Sequence, residues 1–342
     1  MKKMLVCLCG ILLLSSSFGS AQENEWTSGR PDGHAPIHVM GDHYHKKGEW
    51  MFSYRLMSMG MEGARSGTKN LSLNTIHQNY MVAPQKMQMN MHMLGMMYAF
   101  SDRLTMMLMG NYSTLSMDLV SRMKADFSTH SKGFGDLSLS ALIKIYNQNR
   151  NAIHVQAGFS IPTGSIDQKG DTPMMTNTPL AYPMQLGSGT WDPIIGLTYL
   201  GQSSVLSWGW QSRYKIRTGE NDNGYRLGNT FETTGWGSVK LTQMWSLATS
   251  LKYISQSKIV GKYAALNPMM MPLFDANNSG GNQLSLGFST NVYFSKGALK
   301  NFRLGASYEI PVSQNPKGIQ MKIEGGLTLG IQYSFKSKKE ED

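Results

Sequence analysis

The sequence predicts an all-β protein, a closed antiparallel transmembrane β-barrel of about twelve strands with both termini in the periplasm. Three observations predict it. The chain begins like a secretory signal peptide, no later stretch approaches the ~18 consecutive apolar residues of a membrane helix, and apolar residues alternate with small or polar ones in segments of about ten residues. Together they place the chain in the bacterial outer membrane.

The N-terminal segment has the features of an exported leader. Lys2 and Lys3 precede the apolar run 4–14, and a small-residue stretch ends at Ala21. The run is shorter than the ~20 residues that span a bilayer, so we expect cleavage after Ala21 and no anchor. Both cysteines, Cys7 and Cys9, lie in the leader, so the mature chain is expected to contain no thiol, disulfide or thiolate metal site.

The mature chain reads as one domain. Residues 1–21 form the predicted signal peptide, 22–47 a histidine-containing N-terminal arm, 48–335 the barrel, and 336–342 a charged tail. Loss of two leader lysines lowers the formal net charge from +10 to +8. The basic residues are scattered and the chain is exported, so nucleic acid is not an expected partner.

The last strand shows the barrel periodicity most clearly. Leu327, Leu329, Ile331, Tyr333 and Phe335 alternate with small or polar residues. The same alternation predicts eleven earlier strands, within 50–56, 87–99, 104–112, 137–145, 153–161, 194–201, 206–216, 231–241, 245–253, 284–294 and 302–310. An even number suits a single-chain bacterial barrel.

The connections alternate between short and long, as in outer-membrane barrels. We expect short periplasmic turns at 101–102, 147–151, 202–203, 242–244 and 295–301. Long external loops are expected near 60–86, 119–134, 163–190, 218–229 and 258–281. Aromatic residues near strand ends should form the interfacial girdles: Trp50, Trp191, Trp245, Tyr333 and Phe335.

Two sets of motifs resemble known proteins. The ending Thr328-x-Gly330-x-x-Tyr333-x-Phe335 resembles the C-terminal insertion signal of outer-membrane barrels, although residues 336–342 follow it. The segments 35–45, 159–165 and 187–192 resemble the MetA-pathway phenol-degradation family of outer-membrane proteins. The resemblance covers roughly residues 35–335. It implies a transporter-like barrel for small, often aromatic, organic molecules and supplies no catalytic residues.

Strand parity, the alternation of inward-facing and outward-facing residues along each strand, predicts a basic lumen. The positions that alternate with the apolar sets include Arg55, Lys144, Arg213, Lys215, Arg217, Lys240, Lys252, Arg303 and Lys322, against the acids Asp136, Glu232, Glu309 and Glu324. Rings of like charge set ion preference in narrow pores, so we expect an anion-preferring channel. Arg213, Lys215 and Arg217 form the best candidate for an anion-guiding ladder. The alternative is that internal ion pairs fill a narrow barrel.

Methionine and histidine suggest a second function, copper handling. The mature chain has 25 methionines, because two of the 27 lie in the leader. Thioethers favour Cu(I), and Met87, Met89, Met91 and Met93 share one strand face beside His92. Parity places Lys86, Gln88, Asn90 and His92 in the lumen and those methionines outward as apolar filler, whereas Met57, Met59, Met107 and Met109 fall on the lumen side.

The arm carries further candidate metal ligands: His34, His38, Met40, His43 and His45. Histidine clusters can bind metal, but the spacing here does not specify a tetrahedral set of ligands. The alternative to a metal site is a solvated polar arm. The arm could lie in the periplasm or fold into the bore.

Enzymatic motifs are missing from the sequence. It contains no His-Glu-x-x-His, no phosphate-binding glycine loop and no Cys-x-x-Cys. We therefore expect a channel without cofactors, and not an enzyme. The expected partners of the channel are membrane lipid and a small aromatic or anionic permeant. A copper-handling protein is the second hypothesis and an outer-membrane enzyme the third.

Overall fold

The structure, a computed structural model, describes residues 25–336. Its strands are β1 (Glu49–Ser66), β2 (Lys69–Leu71), β3 (Val82–Ala99), β4 (Leu104–Ser121), β5 (Asp126–Phe134), β6 (Leu137–Gln148), β7 (Asn151–Ile161), β8 (Lys169–Gly170), β9 (Thr178–Pro179), β10 (Asp192–Gln202), β11 (Leu206–Lys215), β12 (Tyr225–Arg226), β13 (Thr230–Lys240), β14 (Trp245–Gln256), β15 (Val260–Gly261), β16 (Gly281–Tyr293), β17 (Phe302–Pro316) and β18 (Ile319–Lys336). The predicted signal peptide and residues 337–342 lie outside the described residues.

Twelve strands form a closed antiparallel ring, which confirms the predicted fold class. The order is β1-β3-β4-β6-β7-β10-β11-β13-β14-β16-β17-β18, and β18 pairs back with β1 from Glu49 opposite Lys336 to Ser66 opposite Ile319. Strand β5 pairs with the upper part of β4 and continues the path of β6. Since β1 and β11 are six places apart, they lie on opposite sides of the bore.

Alternation builds an apolar exterior and a polar interior. Outward residues such as Leu94, Phe159 and Ile195 are more than half exposed, whereas inward residues such as Ser140 and Thr198 are buried. Closure of the barrel gives every strand backbone hydrogen-bond partners on both sides. The apolar belt on its outside faces lipid. The chain is therefore an outer-membrane protein. Within residues 25–336, no helix is long and apolar enough to cross a membrane.

Two of the predicted long loops are mostly strand. Strand β1 continues to Ser66 and β3 begins at Val82, so the loop expected near 60–86 is much shorter. Strands β4 and β5 are joined by a turn of only residues 122–125, so the loop expected near 119–134 is also much shorter. The apolar-outward pattern does not mark these strand ends because they extend beyond the ~10 residues that face lipid. Long connections remain at 162–191, 216–229 and 257–280.

The long connections pack over one end of the barrel, here called the long-loop end. Their short helices are the 3-10 turns Tyr182–Met184 and Pro272–Phe274, while the α-helix Leu73–His77 follows β2. An apolar cluster joins them to the wall strands: Met87, Leu115, Met117, Leu119, Leu180, Ala181, Met184, Met271, Leu273 and Met321. The opposite end carries the short turns and is called the short-turn end.

Candidate functional site

The N-terminal arm lies inside the barrel. It enters at the short-turn end, where the Trp26 amide donates to Asn147 Oδ1, and it leaves at the same end, where the Lys47 amide donates to Asp102 Oδ1. Between these points the chain rises to the level of Arg55, the seventh residue of β1, which is ~20 Å along the strand. The arm is thus a U-shaped plug that fills the short-turn half of the lumen.

Arg303 of β17 fixes the first limb of the plug. Its guanidinium donates to the carbonyl oxygens of Pro31 at 2.7 Å, Ser28 at 3.0 Å and Arg30 at 2.7 Å. The residue is 2 % exposed. A guanidinium has several donors and no acceptor, so it matches a run of arm carbonyls that would otherwise lack partners.

Arg55 and two glycines fix the top of the plug. Arg55 Nε donates to the carbonyl of Ile37 at 3.0 Å. The Ile37 side chain lies against Gly305 and Gly330, where an added Cβ would approach it to 2.9 and 2.7 Å. Any larger residue at either glycine would collide with Ile37, so the wall is shaped for the arm.

Strands across the bore bind the other side of the plug. His154 Nε2 lies 2.9 Å from the carbonyl of Gly41, and Gln211 donates to the same oxygen at 3.2 Å. On the side of Arg303, His38 Nδ1 lies 2.7 Å from Ser307 Oγ of β17. An apolar cluster completes the contact: Trp26, Ala35, Val39 and Tyr44 of the arm with Ala152, Leu200 and Trp236 of the wall. Buried aromatic residues of this size contribute on the order of a few kcal/mol each.

The eight candidate pore-lining bases divide into those that serve the plug and those that do not. Arg55 and Arg303 bind the arm, Lys252 forms an ion pair with Glu309 beside His38, and Lys144 lies 5.6 Å from the ring centre of Tyr44. Lys240 lies near the short-turn end, where its amide donates to Val205.

The proposed ladder is only partly free of acids. Arg217 lies beyond the end of β11 and forms an ion pair with the buried Asp192. Arg213 and Lys215 remain on β11 above the plug. Glu232 of β13 is directly opposite Arg213, but no ion pair joins them, and Arg213 Nε has no hydrogen-bond partner among residues 25–336. Lys322 and Glu324, expected in the lumen, pair with each other on the face opposite buried Met321. A register shift in β18 reverses the parity there.

The parity expected for β3 is wrong. Residues directly opposite in a sheet share a face, and Met93 pairs with lumen-facing Arg55. His92 is instead exposed on the outside, with its Nδ1 2.8 Å from the Tyr54 hydroxyl. Lys86, Gln88 and Asn90 share its face. The error arose because both faces of β3 carry apolar and polar residues, so alternation alone did not orient it.

Methionines consequently share the lumen face of β1, β3 and β4, where Met51, Met87, Met97, Met107 and Met117 are at most 3 % exposed. Met57, Met59 and Met61 pair with Met91, Met89 and Met87, and Met87 and Met97 pair with Met117 and Met107. We call this surface the methionine wall: Met51, Met57, Met59, Met61, Met87, Met89, Met91, Met93, Met97, Met107, Met109 and Met117. The sequence argument, which divided these residues between two faces, missed it.

Three arm histidines meet beside the second limb of the plug. The ring centres of His34 and His43 are 3.8 Å apart, and those of His43 and His45 are 4.9 Å apart. Burial lowers the pKa of His34 and His45, so both imidazoles are neutral at pH 7. His38 contacts Ser307 instead, and the carbonyl of Met40 accepts from Gln211. The candidate ligands of the arm therefore do not form one cluster.

Asp42 orients this cluster. Its Oδ1 accepts from His43 Nδ1 and its Oδ2 from the Ala35 amide, both at 2.9 Å. Desolvation opposes ionisation of Asp42, but the neighbouring His43 and these hydrogen bonds outweigh it and lower its pKa to about 2. The carboxylate is thus ionised and buried at neutral pH, which joins the two limbs of the plug.

Comparison with solved structures identifies the same fold in a channel. An outer-membrane channel from Pseudomonas putida F1 is similar with a TM-score of 0.59 and 14% identity, covering 87% of this chain and 99% of the channel. A FadL homologue from Pseudomonas aeruginosa is more distant, with a TM-score of 0.38 and 10% identity over 85% of this chain and 90% of its own. At these identities the likeness concerns the fold.

Sequence comparison identifies the family. No curated protein sequence matches the chain significantly. The profile described as "Putative MetA-pathway of phenol degradation" matches residues 72–321. This range includes most of the barrel and two of the three segments on which the resemblance was based. The chain belongs to the MetA-pathway phenol-degradation family.

Proposed function

We propose that this protein is an outer-membrane channel for small organic molecules, that it favours aromatic anions, and that its N-terminal arm closes it. The observation that carries the proposal is the arrangement of two unlike lumen surfaces. The methionine wall on β1, β3 and β4 lies across the bore from Arg213 and Lys215 on β11.

The methionine wall suits aromatic molecules of varied shape. Methionine side chains have three rotatable bonds, adapt to irregular surfaces and make favourable sulfur–aromatic contacts. Arg213 and Lys215 offer the opposite chemistry, two cations that attract a carboxylate or sulfonate. A molecule with an aromatic ring at one end and an anionic group at the other can contact both surfaces at once.

The plug implies that passage is gated. Since the arm fills the short-turn half of the lumen, a permeant can cross only when part of residues 25–47 moves. Every arm contact described above is non-covalent and can break reversibly. We expect long closed periods interrupted by openings.

Bi-ionic reversal potentials in planar bilayers test the permeant class. Benzenesulfonate should permeate better, relative to methanesulfonate, than its larger size allows, because only the aromatic ion contacts the methionine wall. Changing Met57, Met89 and Met91 together to Ser should lower this permeability ratio several-fold. Met123→Ser, in the exposed turn after β4, is the matched control. An unchanged ratio in the triple variant would refute the role of the wall.

The sidedness of the barrel is part of the proposal, with short turns in the periplasm. Cysteines introduced at Lys169 or Asn278, in long connections, should react with an impermeant maleimide on intact cells. A cysteine at Asn149, in the short turn between β6 and β7, should not. Labelling at Asn149 alone would invert the orientation.

Copper handling is the second candidate, because the methionine wall forms one track. Thioethers bind Cu(I), although Arg213 and Lys215 across the bore disfavour a cation. If copper is the cargo, the protein should bind Cu(I), and changing Met87, Met89, Met91 and Met93 to Leu should remove most of that binding. Met123→Leu is the control. Equal binding by wild type and the fourfold variant would eliminate this candidate.

A further inference from the structure

We infer that His34, His43 and His45 form a site for one divalent transition-metal ion of the Zn²⁺ type inside the plug. The side chains are buried, and their rings lie in sequence with centres 3.8 and 4.9 Å apart. A metal site in the arm is independent of what the barrel transports.

The hydrogen bonds leave the same nitrogen of each ring available. His34 Nδ1 lies 3.1 Å from Gln332 Oε1, His43 Nδ1 2.9 Å from Asp42 Oδ1, and His45 Nδ1 3.5 Å from Glu49 Oε2. Each of these oxygens accepts, so each Nδ1 carries a proton, and Nε2 is the ring nitrogen whose lone pair a metal ion can bind once the ring is neutral.

Two of those lone pairs are buried and unused. His43 Nε2 and His45 Nε2 have no hydrogen-bond partner among the described residues, although the two histidines are only 1 % and 4 % exposed. A buried acceptor without a partner is unfavourable, because it has lost its hydrogen bonds to water. A metal ion would satisfy both atoms at once.

The surroundings match those of histidine metal sites in general. A ligating histidine usually donates its other ring N–H to a carboxylate or carbonyl oxygen, which fixes its orientation. Asp42 and Glu49 fill this role for His43 and His45 and add two negative charges that offset Arg303. Ligand atoms of His34, Asp42 and His43 lie within 4.8 Å of one another, and His45, which lies outside this group, must turn its ring to join them at the ion.

The site can be reached from the short-turn end. His34 and His45 line a cavity of about 780 Å³ at that end, together with Glu49, Asp102 and Lys144. Three neutral imidazoles with one position open to water are a common ligand set for Zn²⁺. Because His34 belongs to the first limb and His43 and His45 to the second, a bound ion would tie the limbs together and stabilise the plug.

Metal binding to the intact purified protein tests the inference. After chelator treatment and Zn²⁺ reloading, elemental analysis should give one ion per chain, and Co²⁺ should give the intense visible bands of a four-coordinate site. His43→Gln should weaken Zn²⁺ binding at least 100-fold, and Asp42→Asn roughly 10–100-fold. Heat-modifiable gel mobility verifies folding. If His43→Gln does not fold, His45→Gln replaces it.

The controls are His92→Gln, on the outer surface, and His38→Gln, in the arm but outside the cluster. Both should bind one Zn²⁺ as wild type does. No saturable binding by wild type, or full binding by folded His43→Gln and His45→Gln, would overturn the site. These outcomes do not involve transport, so a failed channel assay would leave them intact.

Discussion

Arg303 Nη1 donates a hydrogen bond of 2.7 Å to the carbonyl oxygen of Pro31, so this wall residue binds the backbone of the arm and not a side chain. Backbone carbonyls are present whatever the arm sequence. The specificity of docking must therefore come from neighbouring contacts, such as Ile37 against Gly305 and Gly330. The hydrogen bonds of Arg303 stabilise the docked arm, and the two glycines make room for the Ile37 side chain.

Replacing Arg303 with Gln should loosen the plug. Gln is too short to reach the carbonyls of Ser28, Arg30 and Pro31 together, and each hydrogen bond to a charged group contributes about 1.5–3 kcal/mol. We expect the open probability in planar bilayers to rise at least ~10-fold, since ~1.4 kcal/mol already gives that factor. Lys240→Gln, which removes a different lumen base, should behave as wild type. Equal opening by all three proteins would show that Arg303 does not hold the plug closed.

Replacing Arg213 and Lys215 with Gln should reduce anion preference. Under a KCl gradient, wild type should give a reversal potential that favours chloride, and the double variant should move towards neutrality. Replacing Arg217 with Gln and Asp192 with Asn together should change it little, because the two charges of this ion pair cancel. Higher salt should weaken the preference, as the screening length is ~10 Å at 0.1 M. A wild type that selects potassium would contradict this prediction.

Acid should open the channel through His38. Burial is the largest cause that lowers the pKa of His38 to about 4, with Lys252 acting in the same direction and Glu309 and Glu232 against it. A histidine in an undocked arm titrates near its ordinary value of ~6.5. Above that pH both states are neutral, and below it the undocked arm binds the proton more tightly, so docking weakens by about 2 kcal/mol at pH 5.

Conductance between pH 7.5 and pH 5, measured in chelator to exclude metal effects, checks this expectation. Wild type should open more as the pH falls, and His38→Gln should show a clearly smaller change. His92→Gln, whose ring lies outside the barrel, should retain the full response. If the wild-type channel instead closed more at acid pH, the pH dependence would have the opposite sign and the prediction would be wrong.

Changing Tyr333 and Phe335 to Ser should impair assembly. Tyr333 stacks on Phe302 with ring centres 4.5 Å apart, and Phe335 stacks on Phe52 at 6.1 Å across the β1–β18 closure. Their loss removes apolar surface from the outer belt where the ring closes. The double variant should accumulate less in outer-membrane fractions, while Phe134→Ser, on the exposed end of β5, should not. Wild-type levels of the double variant would show that the terminal aromatics are dispensable.

The sequence predicted the orientation of the strands well wherever apolar residues occupy only the lipid face. Leu327 to Phe335 alternate with polar residues because one side contacts hydrocarbon and the other the arm and lumen, and β18 lies there as expected. The same rule failed at β3, where methionine occupies the lumen face and Leu94, Met96 and Tyr98 the outer face. Apolar residues on both faces leave the period intact but remove the information on orientation.

The plug could be foreseen only as one of two possibilities. Nothing in the spacing of His34, His43 and His45 indicates that their rings meet, because the cluster depends on a reversal of the arm between Ile37 and Gly41 and on partners about 300 residues away, such as Gln332. Arg55 and Arg303 were expected to face the bore, but parity says nothing about what they bind. Non-local packing decided both outcomes.

The arm is joined to β1 through Gly48 alone, with no flexible linker between plug and wall. A tethered ligand binds at an effective concentration set by its connection, in the millimolar range or above for short tethers. Dissociation of the arm is therefore a unimolecular event followed by rapid rebinding in the same barrel. Dilution of the protein leaves this equilibrium unchanged, so an arm that closes the bore would act within each molecule, independently of the other molecules.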